Sequence, residues 1–166
     1  MRFFVEETPY QEIGTSPYIA GPPVKTPAMF YGREAIFNWI QENLTGTYQD
    51  NVLVLYGERR TGKTSVLYQL QYRLPETYAF VLIDLQSIAY ALGETSDLLY
   101  AMARKTVNGL RKAGFDLERP ERDVYQEHPI EEFVALGEQI GDDAVDSGRR
   151  AVLMVDEFDL LIEGVD

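Results

Sequence analysis

Cysteine is absent from this 166-residue chain, and histidine occurs only once, as His128. Without thiols the chain has no disulfide, thiolate zinc site or cysteine nucleophile, and one imidazole excludes a histidine metal cluster. The chain also has no run of 18 apolar residues and no basic-then-apolar segment after Met1. Transmembrane helices and secretory signals need those patterns. We therefore expect one soluble, cytoplasmic domain with no membrane association, in which His128 is a cap or surface residue.

Basic residues are scarce in the last third of the chain. Residues 116–166 hold 16 of the 27 acidic residues but only 4 of the 15 basic ones, so they carry the whole net charge of −12. Such an acidic region argues against a nucleic-acid groove, because the phosphate backbone is bound by basic side chains. Two interpretations remain open: a solvated helix face, or a surface for a basic protein partner.

The most informative stretch runs from Asn51 to Leu74 and reads as a strand, a glycine-bounded loop and a helix. The continuous β-rich segment Val52–Tyr56 predicts a strand buried on both faces. Apolar residues at helical spacing after Ser65 predict a helix. The loop between them matches the phosphate-binding pattern G-x-x-x-x-G-K-[ST].

Each part of this loop has a chemical reason to be there. Gly57 lets the chain leave the strand sharply, and Gly62 lets the backbone approach a phosphate. Backbone N–H groups at the start of the helix favour an anion, Lys63 can reach the β- and γ-phosphates, and the Thr64 hydroxyl can bind Mg²⁺. The alternative is a glycine-containing turn between strand and helix. Arg59 and Arg60 could contact nucleotide phosphate or a neighbouring subunit, or could simply be solvated. The predicted nucleotide-binding residues of the loop are Gly57, Glu58, Arg59, Arg60, Thr61, Gly62, Lys63, Thr64 and Ser65.

The apolar segment Ala151–Val155 predicts another buried strand, and the acidic pair Asp156-Glu157 follows it. Asp156 at its end can hold Mg²⁺ opposite Thr64, and Glu157 can polarise an attacking water. The alternative is a strand that runs into an acidic helix start. Asp84 ends a further predicted strand, at 78–84, and could either approach the phosphates or cap the next turn.

Residues 1–31 are rich in proline and predict an extended arm that precedes a core at 32–166. Within the core we expect helices at about 34–44, 97–113 and 129–147, a charged loop at 115–128, and a helix that begins at Phe158. Gly46 and Gly148 are expected to stop two of the helices. Gly137 and Gly141 are expected to permit close packing of the third helix on the sheet. Its predicted inner stripe is Ile130, Phe133, Val134, Gly137, Ile140, Ala144 and Val145.

Three segments together resemble the AAA+ and STAND ATPases, in particular prokaryotic ATP-binding proteins related to the origin-recognition ATPases. These segments are Phe30-Tyr31-Gly32-Arg33-Glu34, the GERRTGKTS loop and VLMVDEFD. The resemblance implies a three-layer α/β P-loop fold, with a parallel sheet flanked by helices, and ATP or ADP with Mg²⁺ as cofactors. It implies that Phe30, Tyr31 and Gly32 line the base pocket, together with part of the arm at 18–23. Lys63 and Glu157 would then be catalytic, and Thr64 and Asp156 would hold the metal.

The C-terminal end departs from that family, in which a fourth strand, a fifth strand, an arginine finger and a helical lid would follow. The family's sheet order, 5-1-4-3-2, leaves Val52–Tyr56 without its neighbour. Three explanations are open: an N-terminal fragment, a strand supplied by another chain, or closure to the order 2-3-1 found in P-loop kinases. We expect the first, which makes the P-loop fold incomplete.

The function that follows is an Mg²⁺-dependent ATP-binding NTPase, a hydrolase that couples nucleotide binding and hydrolysis to a conformational switch. We expect weak nucleotide binding and little turnover from this chain alone. The remaining C-terminal region, another protein or a second copy of the chain would be its partner. A non-hydrolysing nucleotide-binding interaction module is the main alternative, and a small-molecule P-loop kinase is a third. GTP specificity has no support, because no Asn-Lys-x-Asp segment occurs.

Overall fold

A computed structural model of the protein describes residues 21–45, 52–89 and 94–161. Two parallel strands, β1 (Tyr78–Asp84) and β2 (Arg150–Asp156), pair side by side between layers of helices. This is the predicted α/β architecture with a parallel sheet flanked by helices. Within these ranges the helices are α1 (Glu34–Thr45), α2 (Lys63–Arg73), α3 (Gln86–Ala89), α4 (Thr95–Lys112), α5 (Arg122–Glu127) and α6 (Pro129–Ser147).

The two faces of β1 belong to two different cores, because successive side chains of a strand point to opposite sides. Ala79, Val81 and Ile83 pack in the larger core with α4, α5 and α6. Tyr78, Phe80 and Leu82 face the smaller core of α1 and α2. The smaller core is built around Phe37, Ile40, Val66, Leu70, Leu74 and Met154. The sheet is therefore covered on both sides, as buried parallel strands require.

The segment Val52–Tyr56 is not the buried strand that the sequence predicted. No strand is assigned there, and Val52, Val54 and Tyr56 are 85%, 72% and 99% exposed. Leu53 and Leu55, on the other face, pack against the smaller core. The segment pairs with neither described strand, so closure to the order 2-3-1 is not observed. Strand propensity alone could not bury it, because a strand needs a neighbour to satisfy its backbone.

The predicted loop at 115–128 contains helix α5 and three buried anchors, Phe115, Leu117 and Tyr125. Charged residues between these anchors concealed them in the sequence. Helix α4 begins two residues earlier than expected, and a 3-10 helix at Phe158–Leu161 replaces the expected α-helix. Helix α6 begins at Pro129 and is capped by Gly148 in a left-handed conformation, as predicted.

Other sequence predictions fall on parts of the chain that lie outside the described residues. These are the arm up to residue 20, the stop at Gly46 and the end of the last helix. The boundary between arm and core at 31/32 stays a prediction. No helix in the described ranges is long and apolar enough to cross a membrane.

Helix α6 does not use its glycines as the sequence suggested. A Cβ added at Gly137 or Gly141 would meet nothing within 4 Å, and Ile130, Val134 and Val145 of the predicted inner stripe are exposed. Leu136 is the buried residue, with Phe133, Ile140 and Ala144 packed beside it. The close approach of a helix to the sheet occurs instead at Gly109 of α4, where a Cβ would lie 2.7 Å from Val81 Cγ2. The contact face of α6 is thus rotated from its predicted position.

This contrast predicts opposite effects of alanine on stability. Gly137→Ala and Gly141→Ala should each raise the free energy of unfolding by about 0.5–1 kcal/mol, because alanine favours the helix and meets open space. Gly109→Ala should lower it by about 1–3 kcal/mol through overpacking against Val81. Urea denaturation of the three variants tests this. Destabilisation by Gly137→Ala equal to that by Gly109→Ala would contradict the packing described.

Candidate functional site

The phosphate-loop motif at residues 57–65 passes through a left-handed glycine, Gly62, directly before helix α2. Gly62 has φ 86° and ψ 19°, and α2 begins at Lys63. The first backbone bond of this helix is from Val66 N–H to Gly62 O, at 3.0 Å. The N–H groups of Gly62, Lys63, Thr64 and Ser65 therefore have no acceptor among the described residues. Unpaired donors at a helix N-terminus form a site that suits a phosphate.

Lys63 closes this loop from within. Its ammonium Nζ donates to Gly57 O at 2.8 Å and to Glu58 O at 2.9 Å. The Thr61 hydroxyl also donates to Glu58 O, at 2.8 Å, so three polar bonds hold the two ends of the loop together. A lysine ammonium has three N–H donors, so one remains for an anion.

Arg33 attaches the preceding segment to the same loop. Gly32 and Arg33 both have left-handed φ angles, 76° and 68°, which make a sharp turn before α1. Arg33 Nη2 then donates to Thr61 O at 3.0 Å. Arg33 lies within the Phe30-to-Glu34 motif, but no role was predicted for it from the sequence. A charged residue directly after a glycine was the sequence signal from which a contact of Arg33 could have been predicted.

The three residues predicted to line a base differ in their surroundings. Phe30 packs edge-on against Phe37, with ring centroids 5.8 Å apart, and belongs to the smaller core. Tyr31 is 79% exposed, and Gly32 is exposed at the turn. Packing thus accounts for Phe30, whereas Tyr31 is accessible to a ligand. The base-lining role of all three stays a prediction.

The acidic residues meet at the carboxyl end of the sheet. Asp84 and Asp156 are opposite each other in the paired strands. Asp156 Oδ1 accepts the N–H of Glu157 at 3.2 Å, and Glu157 is exposed with a left-handed φ of 57°. Asp84 Oδ1 accepts the N–H of Ser87 at 3.4 Å, which supports the capping interpretation of Asp84. No hydrogen bond or ion pair joins this edge to the phosphate loop in the described ranges.

The donor atoms near the loop and at the sheet edge suit a hard cation. The Thr64 hydroxyl makes no hydrogen bond to another described residue, and the half-buried Asp156 carboxylate accepts the N–H of its neighbour Glu157. Mg²⁺ takes few protein oxygens and completes its shell with water and phosphate oxygens. The oxygens of Thr64 and Asp156 are therefore of the kind that Mg²⁺ binds, and the role of these residues as its ligands stays a prediction. Arg59 and Arg60 are exposed and make no ion pair with another described residue.

Two residues of α2 hold the arm at Val24. Neither was predicted from the sequence to do so. The Ser65 hydroxyl accepts the N–H of Val24 at 3.0 Å, and Gln69 Nε2 donates to Val24 O at 2.9 Å. Ser65 was predicted only for its backbone, and Gln69 was missed. A polar residue one turn after Ser65 on a buried helix face was the signal for it.

The arrangement agrees with the comparison to known families. A family model described as the AAA domain matches residues 42–165, well over half of the chain. The chain belongs to the AAA domain family. The matched range of this AAA domain includes the phosphate loop, Asp156 and Glu157. Searches of curated proteins and of solved structures gave no match to the chain.

Membership makes this AAA domain a nucleotide-binding P-loop NTPase of the ATP-binding kind. Its free N–H groups, its loop lysine and its acidic sheet edge are the groups that such binding needs. The segment from Phe30 to Glu34 lies before the matched range. Its link to the nucleotide site therefore depends on the Arg33 contact.

Proposed function

We propose that this AAA domain binds ATP with Mg²⁺ and hydrolyses it to drive a conformational switch within an assembly. The observation that carries the proposal is the set of four consecutive N–H groups without acceptors, from Gly62 to Ser65, beside Lys63. Donors placed in advance around a phosphate cost no rearrangement when the ligand binds, which is the main source of catalysis in phosphoryl transfer.

The roles of the side chains follow from their chemistry. The loop N–H groups and Lys63 would bind the β- and γ-phosphates and stabilise the charge that develops on them. Thr64 and Asp156 would hold Mg²⁺, which neutralises phosphate charge when bound. Glu157 would orient and polarise the attacking water as a general base. Its exposed position, directly after the strand end, is compatible with that task.

The finer assignment remains part of the proposal. The segment from Phe30 to Glu34 supports a place near the STAND and origin-recognition ATPases, with Tyr31 and Gly32 beside the base. An arginine from a neighbouring subunit would complete the catalytic site. The arm at 1–31 would act as a separate covering element on the core at 32–166.

Lys63→Ala should weaken ATP binding about 10- to 100-fold, because a charge-assisted hydrogen bond is worth about 1.5–3 kcal/mol. Titration calorimetry with ATP and Mg²⁺ measures this directly. Lys112→Ala is the matched control, since it removes the same charge from an exposed position at the end of α4. Equal ATP affinity in Lys63→Ala and Lys112→Ala would refute the phosphate-loop assignment.

A non-hydrolysing interaction module is the second candidate, and α6 carries the observation that favours it. Exposed Ile130, Val134 and Val145 lie on this helix among acidic residues, with no basic residue in it. In this candidate, the acidic face of α6 would dock a basic partner. Bound nucleotide would then act as a structural ligand, and Glu157 would have no catalytic task.

Glu157→Gln separates the two candidates. If Glu157 is the general base, the variant should keep ATP affinity and lose phosphate release by at least about 100-fold in the assembled protein. Both quantities are measured on the same preparation, by calorimetry and by a phosphate-release assay. If phosphate release is unchanged in Glu157→Gln, this residue has no catalytic role. If the wild type binds ATP but never hydrolyses it, the result favours the non-hydrolysing interaction module.

A further inference from the structure

Helix α2 holds both polar backbone atoms of one arm residue. Val24 N–H donates to Ser65 Oγ at 3.0 Å, and Val24 O accepts from Gln69 Nε2 at 2.9 Å. Ser65 and Gln69 are four residues apart, so they lie on the same face of the helix. Two side chains thus satisfy both polar backbone groups of Val24.

Burial shows that this pair of contacts is specific. Gln69 is 0% exposed, and its Oε1 has no hydrogen-bond partner within the part of the chain that the structure describes. A buried acceptor without a partner destabilises the fold, and a leucine would fill the position without that penalty. What glutamine provides and leucine cannot is the donor to Val24. Lys25 adds a weaker contact, with its Nζ 5.1 Å from the centroid of the Tyr68 ring.

The other end of the same segment is attached to the phosphate loop through Arg33 and Thr61. The segment from Val24 to Arg33 is therefore anchored at both ends to the residues 61–69 that form the loop end and the first turns of α2. Phe30, Tyr31 and Gly32 lie between the two anchors. Ser65 joins the two regions most closely, because its hydroxyl binds the arm while its N–H belongs to the free phosphate donors.

We propose that Ser65 and Gln69 are positioning residues that seat the segment 24–33 as the wall of the nucleoside side of the ATP site. The inference rests on the proposed nucleotide binding and adds a division of labour to it. The phosphates are bound by the loop alone, whereas the base and ribose depend on the seated segment. Because coupling between sites is reciprocal, nucleoside binding also strengthens the attachment of the arm.

The test compares a ligand that has a nucleoside with one that lacks it. Calorimetry with Mg²⁺-ATP and ³¹P NMR titration with Mg²⁺-tripolyphosphate are applied to Gln69→Leu and Gln69→Glu. The first removes the donor at similar volume, and the second replaces it with an acceptor facing Val24 O. Val24→Pro deletes the N–H that binds Ser65, at a position outside the core. Gln71→Leu is the matched control, because Gln71 is exposed on the same helix and bonds only to Tyr68 O.

We expect the two Gln69 variants and Val24→Pro to lose about 10-fold in ATP affinity, whereas their affinity for tripolyphosphate should change by less than about 2-fold. Gln71→Leu should match the wild type for both ligands. Equal loss for both ligands, or no loss for ATP, overturns the inference while leaving nucleotide binding intact. A wild-type chain that binds neither ligand contradicts the proposed function itself and this inference with it. If the Gln69 variants fail to fold by circular dichroism, Val24→Pro decides the outcome.

Discussion

The backbone turns into a left-handed conformation at Gly62, and helix α2 begins at the next residue. This constraint leaves the first N–H groups of the helix without internal acceptors, and the amides of Gly62 to Ser65 form one continuous set of donors. Lys63 cross-links the loop carbonyls in front of them, and Arg33 holds the loop from the outside through Thr61 O. The donor set proposed to bind phosphate is therefore a property of the backbone, which the side chains support.

The rest of the fold positions this helix start. The smaller core holds α2 against the sheet through Val66 and Leu70, and β2 brings Asp156 to the carboxyl edge of the same sheet. Ligands of open α/β sheets bind at that edge, so the architecture and the site agree. The segment that leads into the loop is packed on one face only, through Leu53 and Leu55. Its other face, with Val52, Val54 and Tyr56, is exposed.

Local features of this structure could be predicted from sequence, and those that depend on distant contacts could not. The loop from Gly57 to Ser65 was predictable because glycine conformation and helix start are set within a few residues. The hydrogen bonds of Val24 to Ser65 and Gln69 span 41 and 45 residues, so no local sequence pattern predicts them. Glycine in α6 suggested close packing, but the helix that approaches the sheet is α4, at Gly109. Helical periodicity gives an apolar stripe; only tertiary contacts decide which part of it is covered.

The most direct test of the central claim is an amide NMR titration of the ¹⁵N-labelled protein with ATP and Mg²⁺. If the free N–H groups form the phosphate site, the resonances of Gly62, Lys63, Thr64 and Ser65 should shift most at saturation. Those of Gly137 and Gly141, in the exposed face of α6, should remain in place and serve as internal controls. Shifts that leave residues 62–65 unaffected while ATP is bound would show that the nucleotide is held elsewhere.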